Sequence, residues 1–321
     1  METALEAKYR RALPQMGDRL FISDGGMETT LIFQQGIDLP HFAAVVLLRT
    51  AEGRAALARY FAPYLEIARR DGRGLVLDTP TWRASPDWAV PLGCTVEALD
   101  DANRQAVAFV RAIRDAEETP ATPIVVDGVI GPRGDGYRPS SLMTAAEAEA
   151  YHARQVDVLA DAGADMLSAL TMTYADEAIG IARAARAASI PVVLSFTVET
   201  DGRLRSGMTV VEAVAACDAA TDAYPAYYML NCAHPTHFRD QLVDGGWRRR
   251  IGGIRANASK ASHAEIDDSP VLDDGDPAEL AAEYRVLAEM LPALRVLGGC
   301  CGTDHRHVSA ISDACGHRHA A

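Results

Sequence analysis

Eight short apolar or β-branched runs alternate in this chain with longer amphipathic stretches rich in Ala, Leu, Arg and Glu, and that alternation limits the folds open to it. The runs lie at Leu20-Ser23, Gly74-Asp78, Ile124-Asp127, Asp165-Ala169, Val192-Phe196, Tyr227-Asn231, Ile251-Ile254 and Arg295-Leu297. Repeated strand–helix alternation favours a parallel sheet. Eight such units are what a closed (β/α)8 TIM-type barrel needs, and 321 residues suit one. An open doubly wound sheet is the competing architecture, but no Gly-x-Gly-x-x-Gly follows the first run. No Pro/Gly/Ser-rich linker divides the chain, so residues 1–321 are read as a single barrel domain.

Local signals refine this outline. Thr144-Ala-Ala-Glu147 and Thr209-Val-Val-Glu212 are capping boxes, which mark helix starts. Pro63 predicts a kink or break in the first helix, and Gly163 predicts a helix stop. The stretch from Ser259 to Pro277 is acidic without apolar periodicity, and reads as a long surface loop.

Composition excludes several partners. Lys and Arg number 31 against 44 Asp and Glu, a formal charge of −13, with no basic stripe. Nucleic acid and anionic membrane surfaces are therefore not expected to bind. The first residues, Met1 to Arg19, are charged throughout, and the longest apolar run, Phe42 to Leu48, is far too short to span a bilayer. Six cysteines do not make a disulfide scaffold at this length. The expectation is a soluble cytoplasmic protein with reduced thiols; the sequence does not indicate its oligomeric state.

Chemistry concentrates in three cysteines. Cys232 stands in Asn231-Cys232-Ala233-His234-Pro235, and the other two in Gly298-Gly299-Cys300-Cys301-Gly302-Thr303. Barrel active sites lie at the C-terminal ends of the strands. Cys232 follows the sixth run and Cys300 and Cys301 the eighth, so distant ligands can meet on one face. Asp24, Gly25, Thr79, Trp82, Asp127 and Gly128 follow the first three runs. Three cysteines plus an open position match a catalytic zinc site. The same spacing also suits a structural vicinal pair or a disulfide, and the residues alone leave that choice open. A last helix starting near Thr303 would favour thiolates by its dipole, and Pro235 suits the first position of a helix. Cys94, Cys217 and Cys315 read as buried small hydrophobes. His305 and His307 read as exposed or supporting residues, with an extra ligand or proton acceptor as the alternative. His234 and His237 are read in the same way, and His317 and His319 as exposed.

Taken together, Asp24-Gly25-Gly26-Met27-Glu28-Thr29, Asn231-Cys232 and Gly298-Gly299-Cys300-Cys301-Gly302 resemble the homocysteine S-methyltransferase family. Thr79-Pro80-Thr81-Trp82-Arg83-Ala84-Ser85, Ala162-Gly163-Ala164-Asp165 and Ser195-Phe196-Thr197 extend the resemblance, in order, over nearly the whole chain. It implies a barrel enzyme of methionine biosynthesis that carries Zn2+ and methylates a thiol. Its partners would be a small-molecule thiol acceptor and a methyl donor. By the resemblance, Cys232, Cys300 and Cys301 are the zinc ligands, and Asp24 with the backbone at Gly25 holds the acceptor. Thr79, Thr81 and Trp82 line the pocket, Asn257 matches an asparagine after strand seven, and Glu28 and Asn231 complete the substrate-binding set.

There is one departure. Many members carry Ala/Cys-Glu-Thr after the fourth strand, the Glu binding the amino group of homocysteine, where this chain reads Ala169-Leu170-Thr171. Losing such a charge-assisted hydrogen bond costs about 1.5–3 kcal/mol. Glu28, Asp127 and Glu199 are the candidate replacements. The alternatives are a different thiol acceptor, a non-catalytic zinc- or thiol-binding barrel, or a metal-free hydrolase or lyase. A lone barrel leaves no room for cobalamin or folate modules, which favours S-methylmethionine or S-adenosylmethionine as donor. Betaine is also considered, because Trp82 offers either a cation–π face or simple wall packing.

Overall fold

The computed structural model describes residues 7–137 and 142–316. Eight parallel strands close into a barrel in chain order, β1 pairing with both β2 and β8. They are β1 (Phe21–Ile22), β2 (Gly74–Asp78), β3 (Ile124–Ile130), β4 (Met166–Met172), β5 (Val192–Phe196), β6 (Tyr227–Asn231), β7 (Ile251–Ala256) and β8 (Val296–Gly299). Every expected run forms a strand, and the architecture is the (β/α)8 barrel. Strands β3 and β4 extend beyond their expected ends because they are buried on both faces and so carry no alternating pattern to mark a stop. The Gly298-Gly299 pair ends β8. A Cβ on Gly298 would run into Ser23, and one on Gly299 into Thr303.

Two apolar layers hold the barrel. Phe21, Val125, Met166, Val193 and Val296 are among the side chains filling its interior, while a larger layer sits between strands and outer helices. Both capping boxes form, and Gly163 takes φ +92° just after the helix Ala145–Asp161. The helix Ala51–Asp71 runs unbroken past Pro63. The carbonyl that Pro63 leaves unbonded belongs to Arg59, an exposed residue, so water can satisfy it.

Three expectations about connections are corrected. After β6 the outer helix shrinks to Pro235–Phe238, followed by short turns, because Gly245-Gly246 and a charged run cannot sustain a long amphipathic helix. The last helix starts at His305 with Asp304, not Thr303, as its cap. The stretch after Ser259 is no plain surface loop: Ser262 caps a short helix, His263–Asp268, that lies over the mouth of the barrel. Among the described residues no helix is long and apolar enough to cross a membrane.

Candidate metal centre

Cys232 leaves the end of β6 with φ +53°, an uncommon conformation for a residue with a side chain. Its N–H donates to the Arg255 carbonyl at 3.1 Å, and its own carbonyl accepts from Asn257 Nδ2 at 3.0 Å. His263 Nε2 lies 2.6 Å from the same carbonyl, which ties the covering helix to the cysteine. Thr171, at a register shift in β4, also has positive φ, +67°. The Asn231 amide joins these two strained positions. Its Oδ1 accepts from the Thr171 N–H at 3.0 Å, and its Nδ2 donates to Cys232 Sγ at 3.3 Å and to Thr171 Oγ1 at 2.9 Å. Ser195 Oγ donates to the same Oδ1 at 2.6 Å. Asn231 therefore positions the cysteine.

Cys300 and Cys301 form the turn leaving β8. Cys300 N–H donates to the Ala256 carbonyl at 2.8 Å, and Ala258 N–H donates to the Cys301 carbonyl at 3.1 Å. Gly302, at φ +78°, donates its N–H to Thr29 Oγ1 at 3.2 Å, which bolts the turn to the loop after β1. All three sulfurs lie within 4.8 Å of one another. The side chains of Cys232 and Cys300 converge from β6 and β8 on one point, their sulfurs in contact. The set fits a zinc ion: three sulfur donors and, among the described residues, no fourth His, Cys, Asp or Glu in the cluster. Burial pushes the Cys301 thiol up to about 11, with Tyr137, whose hydroxyl is 3.7 Å from the sulfur, pulling the other way. A bound cation reverses that preference by deprotonating coordinating thiols.

The histidines stand apart from the cluster. His307 is buried, with Nδ1 3.1 Å from Asp304 Oδ1 and Nε2 2.8 Å from the Asp274 carbonyl, while His305 is exposed. His234 is buried and caps the short helix after it, and His237 is half-buried. His317 and His319 lie outside the described residues. Cys217 and Cys315 are buried as expected; Cys94 is only half-buried, in the turn before the helix Val96–Glu117.

The cysteines face a cavity of about 720 Å³, within the range of small-molecule sites. Asp24, Gly25, Glu28, Thr79, Trp82 and Asn231 line it, as do Arg83, Leu170, Tyr137 and Arg255. Thr81 and Asn257 do not: Thr81 Oγ1 donates to the Val129 carbonyl behind the wall, and Asn257 braces Cys232. Trp82 is a wall residue with the Arg83 guanidinium 5.0 Å from its ring. Asp127 sits inside the barrel beneath this cavity. Glu199 faces Arg205 at 3.3 Å and His263 at 3.8 Å.

Between barrel and cavity lies an ionic trio. Arg255 donates from Nη1 to Asp78 and from Nη2 to Asp24, and its Nε reaches the Gly299 carbonyl at 3.2 Å. Tyr60 hydroxyl donates to the other Asp24 oxygen at 2.9 Å. Burial pushes the Asp24 carboxyl up to about 7, against the pull of Arg255. Glu28, closed in at the cavity wall, is likewise pushed up to about 7 by desolvation.

Sequence reasoning missed Arg255, Asp78, Tyr137, Thr171 and His263. The trio had a signal, since an arginine in a Gly/Ile-rich strand must find buried anions, and Asp24 lies just after β1 and Asp78 at the end of β2. Tyr137 and His263 stack with ring centroids 4.3 Å apart on long connections without periodicity; the one local signal there was the capping box Ser262-x-x-Glu265, which starts the helix at His263.

The sequence profile of the homocysteine S-methyltransferase family matches residues 21–315. The chain belongs to the homocysteine S-methyltransferase family. Among solved structures, it is similar to the oxidized form of the homocysteine methyltransferase MmuM from Escherichia coli, with a TM-score of 0.73 and 22% identity over 94% of this chain and 98% of that one. The metallated form of the same enzyme gives a TM-score of 0.72 at the same identity and coverage. At this identity the likeness bears on the fold, and this family member shares the whole barrel with MmuM.

Proposed function

We propose that this protein is a zinc-dependent thiol S-methyltransferase that moves a methyl group from a small sulfonium donor to homocysteine, giving methionine. One observation carries the reading: three cysteine sulfurs from β6 and β8 within 4.8 Å of one another, facing a cavity of about 720 Å³. Cys232, Cys300 and Cys301 would hold the zinc, which when bound lowers the pKa of a coordinating thiol and keeps it as the nucleophilic thiolate. The residues around it supply orientation. Asn231, Asn257 and His263 fix Cys232, and the Thr29–Gly302 bond fixes the other two cysteines. The helix His263–Asp268 and Tyr137 cover the cavity and limit water, so that donor and acceptor meet in line. S-methylmethionine is the first donor to test, because its neutral thioether leaving group suits attack by a thiolate.

Leu170 in the cavity wall favours a second reading, the same transfer to a thiol without an ammonium group. Incubating reduced, zinc-loaded protein with homocysteine and S-methylmethionine and following methionine by mass spectrometry separates them. Methionine formation establishes the first reading. Its absence, with zinc retained, rejects this donor–acceptor pair.

A further inference from the structure

The cavity wall holds two groups of opposite charge with no ion-pair partner among the described residues. Glu28 accepts a hydrogen bond from its own backbone N–H, and among the described residues no cation lies within ion-pair distance of it. Arg83 lies between Trp82 and Trp88, its guanidinium 5.0 and 4.6 Å from their rings. Its Nη1 donates to the His41 carbonyl, its Nε has no partner, and no carboxylate lies within ion-pair distance among the described residues. Arg83 is attracted by Asp135 and then by Glu28, and Glu28 by Arg83, in each case without an ion-pair contact. Asp135 and Asp267 share this wall and have partners of their own.

Resting on the methyl-transfer reading, we propose that Glu28 and Arg83 form a clamp for an α-amino acid beside the cysteine cluster. Glu28 receives the ammonium group of the thiol substrate, and Arg83 receives its carboxylate. A small zwitterion supplies both missing partners at once, and charge-assisted bonds of this kind are the strong ones. The placement is fixed relative to the sulfurs: Gly26 N–H donates to the Thr303 carbonyl at 3.0 Å and Gly302 N–H to Thr29 Oγ1 at 3.2 Å, one on each side of Glu28.

Three other carboxylates, Asp24, Asp127 and Glu199, are excluded by their surroundings. Both oxygens of Asp24 are engaged, by Arg255 and Tyr60. Asp127 lies inside the barrel beneath the cavity, and Glu199 faces Arg205 and His263. The same clamp chemistry could belong to the donor, since S-methylmethionine is also an α-amino acid.

Calorimetry on reduced, zinc-loaded protein tests the clamp without relying on turnover. Three thiols serve as probes: homocysteine, 4-mercaptobutyrate, which lacks the ammonium, and 3-mercaptopropylamine, which lacks the carboxylate. Glu28→Gln should raise Kd for homocysteine and 3-mercaptopropylamine roughly tenfold or more and leave 4-mercaptobutyrate unchanged. Arg83→Gln should weaken homocysteine and 4-mercaptobutyrate to a similar degree and spare the amine. Retained binding of the spared probe shows that each variant is folded. Equal losses for all three probes, or no loss, would overturn the clamp. Loss of S-methylmethionine binding with homocysteine unaffected would overturn its assignment to the acceptor. A wild-type protein that binds none of the thiols overturns the methyl-transfer reading and the clamp with it; wild-type binding with unresponsive variants overturns the clamp alone.

Discussion

Arg255 is the residue on which the floor of the site depends. One guanidinium pairs with two carboxylates, Asp24 just after β1 and Asp78 at the end of β2, both almost wholly buried. Such groups stabilise little as a set but are costly to break apart, because removing one member strands a buried charge. Arg255→Met should therefore lower unfolding free energy by about 3–5 kcal/mol in urea titrations. A loss below about 1 kcal/mol would mean that the carboxylates escape by taking up protons. Asn231 makes the complementary point without charge: a single amide holds two residues of positive φ, Thr171 and Cys232, and so converts backbone strain into a fixed sulfur position.

The turn and helix after β8 form the element that presents two of the three cysteines. Asp304 caps this helix, accepting from Arg306 N–H at 2.9 Å, and Gln34 Nε2 donates to it at 2.9 Å. Burial would push its carboxyl up, but hydrogen bonds from His307, Arg306 and Gln34 outweigh that and hold it well below the carboxylate range. A carboxyl depressed in the fold stabilises above its unfolded pKa of about 3.9, and that contribution is lost as pH falls below it. Asp304→Asn keeps the cap but cannot titrate. The variant should be less stable than wild type at pH 7, and the difference should shrink toward pH 2, as read from urea midpoints across that range. A difference independent of pH would refute this role. The covering helix His263–Asp268 acts on the same centre from above, through the His263 contact with the Cys232 carbonyl.

For the whole molecule, closure of the barrel makes one site from residues almost seventy positions apart. Strand β6 lies beside β7, and β7 beside β8, so Cys232 and Cys300 meet across a single intervening strand. This much was legible in the sequence, because strand periodicity and the position of each motif after its strand are local signals. What was not legible depends on contacts between distant segments. The register shift at Leu170-Thr171 is set by Asn231 on another strand, the trio at Arg255 draws on three strands, and the covering helix carries no apolar periodicity of its own. The central claim, that these sulfurs form one metal centre, is tested most directly by counting zinc in anaerobically reduced protein by elemental mass spectrometry. The account predicts stoichiometric zinc in the wild type and its loss in Cys232→Ser and in Cys301→Ser, with the fold retained by circular dichroism. Wild-type protein that remains free of zinc with all three thiols reduced, or serine variants that keep it, would contradict the account.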